Sequence, residues 1–418
     1  MRLKKLSPFM LFMALILALA ACGSTNTSSD NGSAKGTEKA KEISIFQSKV
    51  EIAKPLEELA KKYTEKTGIK VNVWGTTGDS YATHLQTKLA SNQGPTIFDV
   101  SPGAQAQKFK SYLYDMSDQP YVKNIAPNMA LKIDGKIVGV PYGVEGYGLV
   151  YNKSLVDPKN ITDYDSFVSA LKKFKSKGIN GLGLSKEAYF LIGHMINYPF
   201  ALQKDPKAFI KKLDEGKTTM AGNKVFQDFA KYMVAIRKYT KNPLKVSYDD
   251  EIGDFAKGKD AMIHQGNWCY SMFKDYGDLG FKMSMMPFPL EKNNKLAVGV
   301  ASNWVINKNA SKAQIKAAND FLNWMLTSDV GKKYIVQKFK FIPAMTNIDA
   351  KGQLDPLSEA VLKASNSGQT IPWTFNYFPP GVITNDLLPV AQQFFMNKDM
   401  TGEQFLKKLD EAWANSVK

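Results

Sequence analysis

Three short stretches with alternating apolar residues, separated by two amphipathic ones, occupy residues 42–101 and restrict this chain more than any other feature. EISIFQS places Ile43 and Ile45 on one face of a strand, IKVNVWG does the same with Ile69, Val71 and Val73, and TIFDVS supplies a third strand. Between the first two, Pro55 opens a helix at a first-turn position, with Leu56, Leu59, Ala60 and Tyr63 on one face and Gly68 as the stop. A second helix is predicted from about Ser80 to Asn92, with Tyr81, Leu85 and Leu89 in register, and Gly94-Pro95 breaks it. Strand, helix, strand, helix, strand implies a sheet with crossover helices.

The alternation returns further on. KIVGVPYG and YGLVYNK read as strands, SFVSALKKFKSKG as a helix, GLGLS as a strand, and a long helical stretch follows through residue 240. A short helix over 250–259 precedes AMIHQGN, an apolar strand that ends in a polar, glycine-containing turn and delivers Trp268. KMSMMPFPL and LAVGVASNWVI read as strands, and SKAQIKAANDFLNWMLT as a helix with Ile315, Ala318, Phe321, Leu322 and Met325 on one side. The C-terminal part is mainly helical, interrupted by QTIPWTFNYFPPG. At 418 residues and 44% apolar content the chain can build two α/β lobes. No fixed period recurs, so a repeat array is excluded.

The N-terminal MRLKKLSPFMLFMALILALAAC joins Arg2, Lys4 and Lys5 to an uncharged run from Pro8 to Ala21, the pattern of a secretory signal. That run is shorter than the ~20 residues of a spanning helix. Leu19-Ala20-Ala21-Cys22 resembles a bacterial lipobox, which implies Cys22 as an acylated mature N-terminus. GSTNTSSDNGSAKGTEKAKE then has no aromatic or branched aliphatic residue and reads as a flexible tether. Cys269, the other cysteine, is expected to be a buried small hydrophobe. The formal charge of +16 is spread along the chain; KKFKSK at 172–177 and KKYIVQKFK at 332–340 carry apolar residues at helical spacing and read as solvated helix faces. No nucleic-acid partner is expected.

Enzyme signatures are missing: there is no phosphate-cradling loop, no nucleophile elbow and no zinc motif in the sequence. Neither catalytic residues, nor a metal, nor a cofactor is expected. His84, His194 and His264 are far apart, and each reads as a surface or capping residue. Candidate binding residues lie instead at strand ends and loops: Gln47 and Ser48, Thr76 and Asp79, Asp99 and Ser101. In open α/β sheets ligands bind beyond the carboxyl ends of strands. Further on come Glu145 and Tyr147, Glu187 and Tyr189, Asn267 and Trp268, Trp304, and Trp373 with Phe375. Sugars use such a mixture best, because an aromatic face covers the C–H patch of a pyranose while carboxylates and amides bond its hydroxyls. Trp304 and Tyr147 read equally well as core, and Asp79 as a helix cap. Glu145 and Glu187 could form a glycosidase pair, but nothing in the sequence sets their separation.

Taken together, LEELAKKYTEKTGIKVNV, GPTIFDVSPG, PYGVEGYGLVYNKSL, SKEAYFLIG, FAKGKDAMIHQGNW and VGVASNWVINKNASKAQIKAANDFLNWML resemble a family 1 extracellular solute-binding protein, the receptor component of a bacterial ABC sugar importer. The chain is similar to maltodextrin-binding proteins in particular. The resemblance implies a two-lobe periplasmic-binding-protein-like α/β fold, with an interlobe ligand cleft and a hinge. It implies a signal peptide at 1–21, a tether at 22–41, one lobe from 42–144 and 299–350, and the other from 145–298 and 351–418. The carboxylate of the family's PxxVEx stretch matches Glu145, its E-x-Y-F pair matches Glu187 and Tyr189, and its stacking tryptophans match Trp268 and Trp373. QGNW stands where the family has a small-Gly-Pro-Trp turn, and FQSKVE and VSPGAQ lack clear counterparts of its early ligands. The implied partners are an oligosaccharide, the transmembrane subunits of an ABC permease, and the membrane through Cys22. A monomer on the outer face of a Gram-positive membrane is expected. The alternatives are a receptor for a phosphodiester, polyamine or peptide, or a surface glycosidase.

Overall fold

Ile43 and Ile45 both turn inward in β1 (Glu42–Gln47), and Ser44 between them donates from its backbone N to Thr96 Oγ1. The computed structural model describes residues 39–418, apart from positions 77 and 128 and the side chain at 79; the signal segment, Cys22 and the tether up to residue 38 lie outside the described residues. β1 pairs in parallel with β2 (Lys70–Gly75) on one side and β3 (Ile97–Val100) on the other. The two crossovers are the helices Ala53–Thr67 and Gly78–Ala90. The first buries the predicted stripe of Leu56, Leu59, Ala60 and Tyr63 and ends at Gly68, whose φ of 75° a side chain would strain. Each such Leu contributes roughly 1.5–3 kcal/mol by leaving water.

Beyond β3 the sheet continues antiparallel through β10 (Asn303–Ile306), β5 (Lys136–Pro141) and β4 (Leu131–Ile133), giving the order β2-β1-β3-β10-β5-β4. Apolar clusters cover both faces. Helices Ala53–Thr67 and Lys312–Thr327 pack on Ile43, Ile45 and Trp304, while Tyr81, Leu85 and Leu89 of helix Gly78–Ala90 pack on Phe46 and Phe98. Ser311 and Gln314 form a capping box that starts helix Lys312–Thr327.

A second sheet is built round β6 (Val144–Asn152), a nine-residue strand in which all but the first residue are buried. It pairs antiparallel with β7 (Met262–Gly266), β8 (Met283–Met286) and β9 (Leu296–Val300), and β9 pairs in parallel with β11 (Thr370–Pro372). One large apolar cluster surrounds it.

The apolar run LAVGVASNWVI, expected as one strand, is divided between the sheets: β9 ends at Val300 and β10 begins at Asn303. Ser302 turns the chain, donating from Oγ to Asp99 Oδ2 at 2.7 Å and accepting Tyr142 N at 3.0 Å. GLGLS, expected as a strand, makes only an isolated parallel bridge from Gly183 to Ile263, and Leu171 and Asp260 lie close against Gly181 and Gly183. The helical stretch through residue 240 is interrupted, running as Tyr189–Gly193, His194–Ala201, Pro206–Asp214 and Lys224–Tyr239. The chain passes between the halves near 141–144, 300–303 and 341–357, and these crossings are bonded side by side: Val144 pairs with Val300 and donates to Ile342 O at 2.8 Å. No helix among the described residues is long and apolar enough to cross a membrane.

Candidate functional site

Two glycines decide where the indoles can lie. On β6, Glu145 faces Gly299 of β9 and Tyr147 faces Gly266 of β7. A Cβ at Gly266 would overlap the six-membered ring of Trp268, and one at Gly299 would stand 2.9 Å from Trp373. Both indoles therefore rest on bare strand backbone beside Tyr147. Trp268 is reached two residues after β7 ends, at the start of a helical turn, and Trp373 one residue after β11 ends.

His194 is the hub of the aromatic box that results. Its ring stacks on Tyr147 at 4.4 Å and lies 5.3 Å from Trp268, 5.7 Å from Tyr189 and 5.8 Å from Phe375. Trp373 stands 5.6 Å from Tyr147 and 5.3 Å from Phe375. Tyr189 and His194 are presented by a π-helical turn, Tyr189–Gly193, that runs into the next helix; such wide turns re-aim side chains and are frequent at functional sites. A second π turn, Ile383–Leu387, packs on it, with Ile383 against Gly193.

Lys49, two residues past β1, enters from the other half. Its Nζ lies 2.8 Å and 3.0 Å from the Glu145 carboxylate oxygens and 5.7 Å from the Trp268 ring centroid. Burial alone would lower its pKa, but the charges of Glu145, Glu51 and Asp99 outweigh that and raise it. Glu51 Oε1 also accepts Tyr248 OH at 3.3 Å, a second bond between the halves.

Polar satisfaction in the box is incomplete. Trp373 Nε1 and His194 Nδ1 are both buried without a hydrogen-bond partner among the described residues. Burial, with the charges of His264 and Lys49, pushes the His194 pKa well below its ordinary value, so this ring is neutral and can donate or accept. Trp268 is satisfied, donating from Nε1 to Gln265 Oε1 at 3.0 Å; Gln265 in turn donates to Glu251 Oε2 at 2.8 Å. The rings of the box all belong to the half built round the second sheet, and Lys49 covers Trp268 from the other half.

Of the sequence candidates, the structure gathers Glu145, Tyr147, Tyr189, Trp268 and Trp373. Ser48 and Asp99 lie apart from the box as a brace: Ser48 donates to Asp99 from N at 2.9 Å and from Oγ at 2.7 Å. Burial pushes the Asp99 carboxyl up although Ser302 and Ser48 donate to it. Gln47 is buried and accepts Lys49 N. Thr76 bonds Ser80 at 2.8 Å near a helix start, and the Asp79 side chain lies outside the described residues. Asn267 accepts Gly146 N and donates to Ser358, tying β6 to helix Pro356–Asn366. Glu187 accepts Tyr248 N at 3.1 Å with one oxygen and leaves the other without a partner. Trp304 is in the first sheet, stacked on Tyr142 at 3.9 Å. Ser101 lines a cleft of about 170 Å³ between the halves, which Tyr189 and Phe375 share.

The histidines correct an expectation. His194 and His264 are buried, with burial pushing His264 down to about 3; His84 alone is exposed as expected. Cys269 is buried and free. No cluster of metal ligands occurs among the described residues. A larger groove of about 640 Å³ lies on the outer helices, between Lys224–Tyr239 and Gly402–Ser416, and includes none of the candidate residues.

The family model described as bacterial extracellular solute-binding protein matches residues 58–361. The chain is 25% identical over 379 residues to a maltooligosaccharide ABC transporter solute-binding lipoprotein of Streptococcus pneumoniae serotype 4, covering 85% of this chain and 84% of that protein. It is 24% identical over 363 residues to a galactooligosaccharide-binding protein of Bacillus subtilis, covering 82% of each. A solved chitin oligosaccharide binding protein superposes with a TM-score of 0.77 at 19% identity, over 90% of this chain and 99% of that one. The solute-binding protein RafE in complex with raffinose superposes at 0.74 and 20% identity, over 90% and 100%. These two structures share this fold.

Proposed function

The chain belongs to the bacterial extracellular solute-binding protein family, whose members bind and do not transform, and on that premise we propose that it captures an oligosaccharide between its halves for an ABC importer. One observation carries this reading: two nitrogens, Trp373 Nε1 and His194 Nδ1, are buried without partners among the described residues, inside a box of aromatic faces. Leaving a buried donor unmade costs roughly 1–3 kcal/mol, so such atoms are reserved for a guest or a water. A guest that matches both must offer hydroxyls and C–H faces together, which is the chemistry of a pyranose. The names of the relatives, which bind maltooligosaccharides and galactooligosaccharides, support the same class.

Anionic solutes fit poorly. Arg2 and Arg237 are the only arginines in the sequence, and Arg237 is spent on the carbonyls of Phe394, Asn397 and Met400. Lys49 already faces Glu145 and Glu51. A phosphodiester would meet no free fork of donors.

Capture proceeds by closure. The bonds Lys49–Glu145 and Glu51–Tyr248 join the halves, and a ligand adds its own contacts to the closed state and so shifts the population toward it. Acylation at Cys22 would hold the receptor at the outer face of the membrane, beside the permease subunits it supplies. Calorimetric titration against gluco-, galacto-, fructo-, xylo- and chito-oligosaccharides tests the reading: binding of at least one series is expected, and silence across all of them overturns it.

A further inference from the structure

Three lysines crowd one ring on the outer side of the second half. Lys172 and Lys175 of helix Tyr164–Ser176 and Lys238 of helix Lys224–Tyr239 place Nζ at 5.6, 5.7 and 5.4 Å from the ring centroid of Tyr239. Lys175 also donates to Lys238 O at 2.9 Å, which fastens the two helix ends together. None of the three lysines is ion-paired among the described residues. Beside them Lys241 and Lys259 share the single carboxylate of Asp254, at 2.7 and 3.0 Å. Asn180 joins the two groups: its side chain accepts Lys241 N at 3.0 Å and its own N donates to Lys259 O at 3.0 Å.

All five lysines are exposed, while Asp260, which accepts Asn180 Nδ2 at 2.8 Å, is buried. A helix C-terminus offsets roughly half a positive charge. Two helix ends, Asp254 and Asp260 together therefore leave a surplus of about two positive charges on this face. The face lies at the end of the half that the box does not use. Lys259 comes before β7 and Trp268 after it, so the strand's length, roughly 17 Å, separates the basic group from the indole.

We propose that this basic pole is a docking surface for an anionic lipid bilayer, which holds the receptor with its box turned away from the membrane. Charge complementarity selects an anionic partner. The N-terminal signal and Cys22 read as a membrane anchor, so a bilayer is the polyanion present at the highest effective concentration. A half-buried phenol flanked by lysine stems also suits a bilayer interface, where rings and stems sit at headgroup level and ammonium groups reach the phosphates. Each lysine beside an anionic surface is worth roughly fivefold in partitioning, so the contact is weak, reversible and additional to the anchor. It does not depend on which solute the box holds.

The test sediments the full-length Cys22→Ser chain, which cannot be acylated at that position, with vesicles of phosphatidylglycerol or of phosphatidylcholine. Binding to phosphatidylglycerol alone is expected, falling steeply as salt is raised to about 0.5 M. Lys172→Gln, Lys175→Gln and Lys238→Gln together should weaken it by more than about thirtyfold, and the same three changed to Arg should hold it within about threefold. Lys241→Gln with Lys259→Gln, at the same pole, should weaken it by more than about fivefold. Removing three charges from the first half instead, at the exposed Lys61, Lys62 and Lys66, should cost less than about threefold. Equal weakening by the two Gln triples, equal binding to both lipids, no binding to phosphatidylglycerol, or a soluble polyphosphate bound where vesicles are not overturns the proposal. Vesicle-bound protein should keep its saccharide affinity within about twofold, and a loss on vesicles overturns the outward orientation. Saccharide binding absent both with and without vesicles is a separate failure, of the solute reading alone.

Discussion

Lys49 Nζ and the Glu145 carboxylate, 2.8 Å apart and 96 residues apart in sequence, form an ion pair between the two sheet-centred halves, with Glu145 almost wholly buried. Neither residue belongs to a helix, and each has its strand at its back: Lys49 follows β1 and Glu145 is the second residue of β6. The pair is thus a contact of the closed arrangement, and its removal should act on closure more than on folding.

Lys49→Met leaves Glu145 buried without its partner, which in a closed state costs roughly 3–5 kcal/mol. Parting the halves rehydrates Glu145 and relieves that cost, so the expected result is a more extended particle in small-angle scattering, more than tenfold weaker saccharide binding (about 1.4 kcal/mol or more) and a nearly unchanged melting temperature. The raised Lys49 pKa means that its charge is present below about 10.5 and is lost only as pH climbs through the folded-state value, so binding should be flat in this respect from pH 6 to 9. A melting temperature that falls while affinity holds would place the pair in the folding core.

Gly266→Ala tests whether the bare strand seats Trp268. A methyl there would meet the indole, while the φ of Gly266, −112°, is open to any residue, so the backbone itself is not strained. The variant should fold with a loss of about 1–3 kcal/mol from overpacking, and should lose saccharide affinity together with the native tryptophan emission. Full affinity with unshifted emission would show that the ring position is immaterial.

Much of this arrangement is legible in the sequence because it follows from periodicity. The stripe Leu56, Leu59, Ala60, Tyr63 and the alternation of Tyr147, Leu149 and Tyr151 in YGLVYNK need no knowledge of the other half, though β6 starts earlier, at Val144, and takes in Glu145. A glycine inside an apolar strand, as in AMIHQG and LAVGV, is likewise a readable sign that something lies flat on it. Lys49 and His194 were not legible. A lysine after a strand reads as solvated until β6 arrives opposite it, and a lone imidazole reads as surface until the rings of Tyr147, Tyr189, Trp268, Trp373 and Phe375 enclose it. The split of LAVGVASNWVI was hidden for the same reason: its break at Ser302 is set by Asp99 and Tyr142, both remote in sequence. Asp99 shows the converse ambiguity, since a carboxylate at a strand end suits a ligand and a brace equally well, and here Ser48 and Ser302 donate to it.

Glu251 gives the protein a pH signature. Burial raises its pKa to about 8 although Gln265 donates to it. Between an ordinary glutamate's 4.5 and about 8 the folded chain holds this proton and the unfolded chain does not, so stability falls as pH rises through that window, by about 1.4 kcal/mol per unit. Glu251→Gln cannot ionise and should match wild type near pH 4.5, then exceed it by a widening margin of melting temperature up to pH 8. Parallel melting curves across that range would show that Glu251 is not held protonated.

Cys22→Ser examines the anchor. If the acylated Cys22 is the link to the membrane, the variant should be found in the soluble fraction or medium with saccharide binding intact, because every residue of the proposed site falls within residues 39–418. Retention of the variant in membranes, resistant to salt washing, would assign the attachment to another element.

The separation of stacking surface from core falls to Trp268 and Trp304. Both indoles are buried, so alanine variants of either are expected to lose stability, about 3–5 kcal/mol for a core-sized cavity, and stability alone does not tell them apart. Their surroundings do. Trp304 is paired across the first sheet with Asp99 and Val140 and stacked on Tyr142, all within one half, whereas Trp268 touches His194, Tyr147 and Trp373 and receives Lys49 from the opposite half. Closure on a sugar must change the environment of the second and not of the first. Phenylalanine keeps most of the apolar volume and removes the reporter, so Trp304→Phe should retain the saccharide-induced change in tryptophan emission and bind within about twofold of wild type. Trp268→Phe should lose most of that change and bind more weakly by about 1 kcal/mol or more, the worth of one well-used aromatic contact. If instead the emission change disappears with Trp304, closure is felt at the hinge-side core, and the stacking surface must be carried by Trp373 and Tyr189.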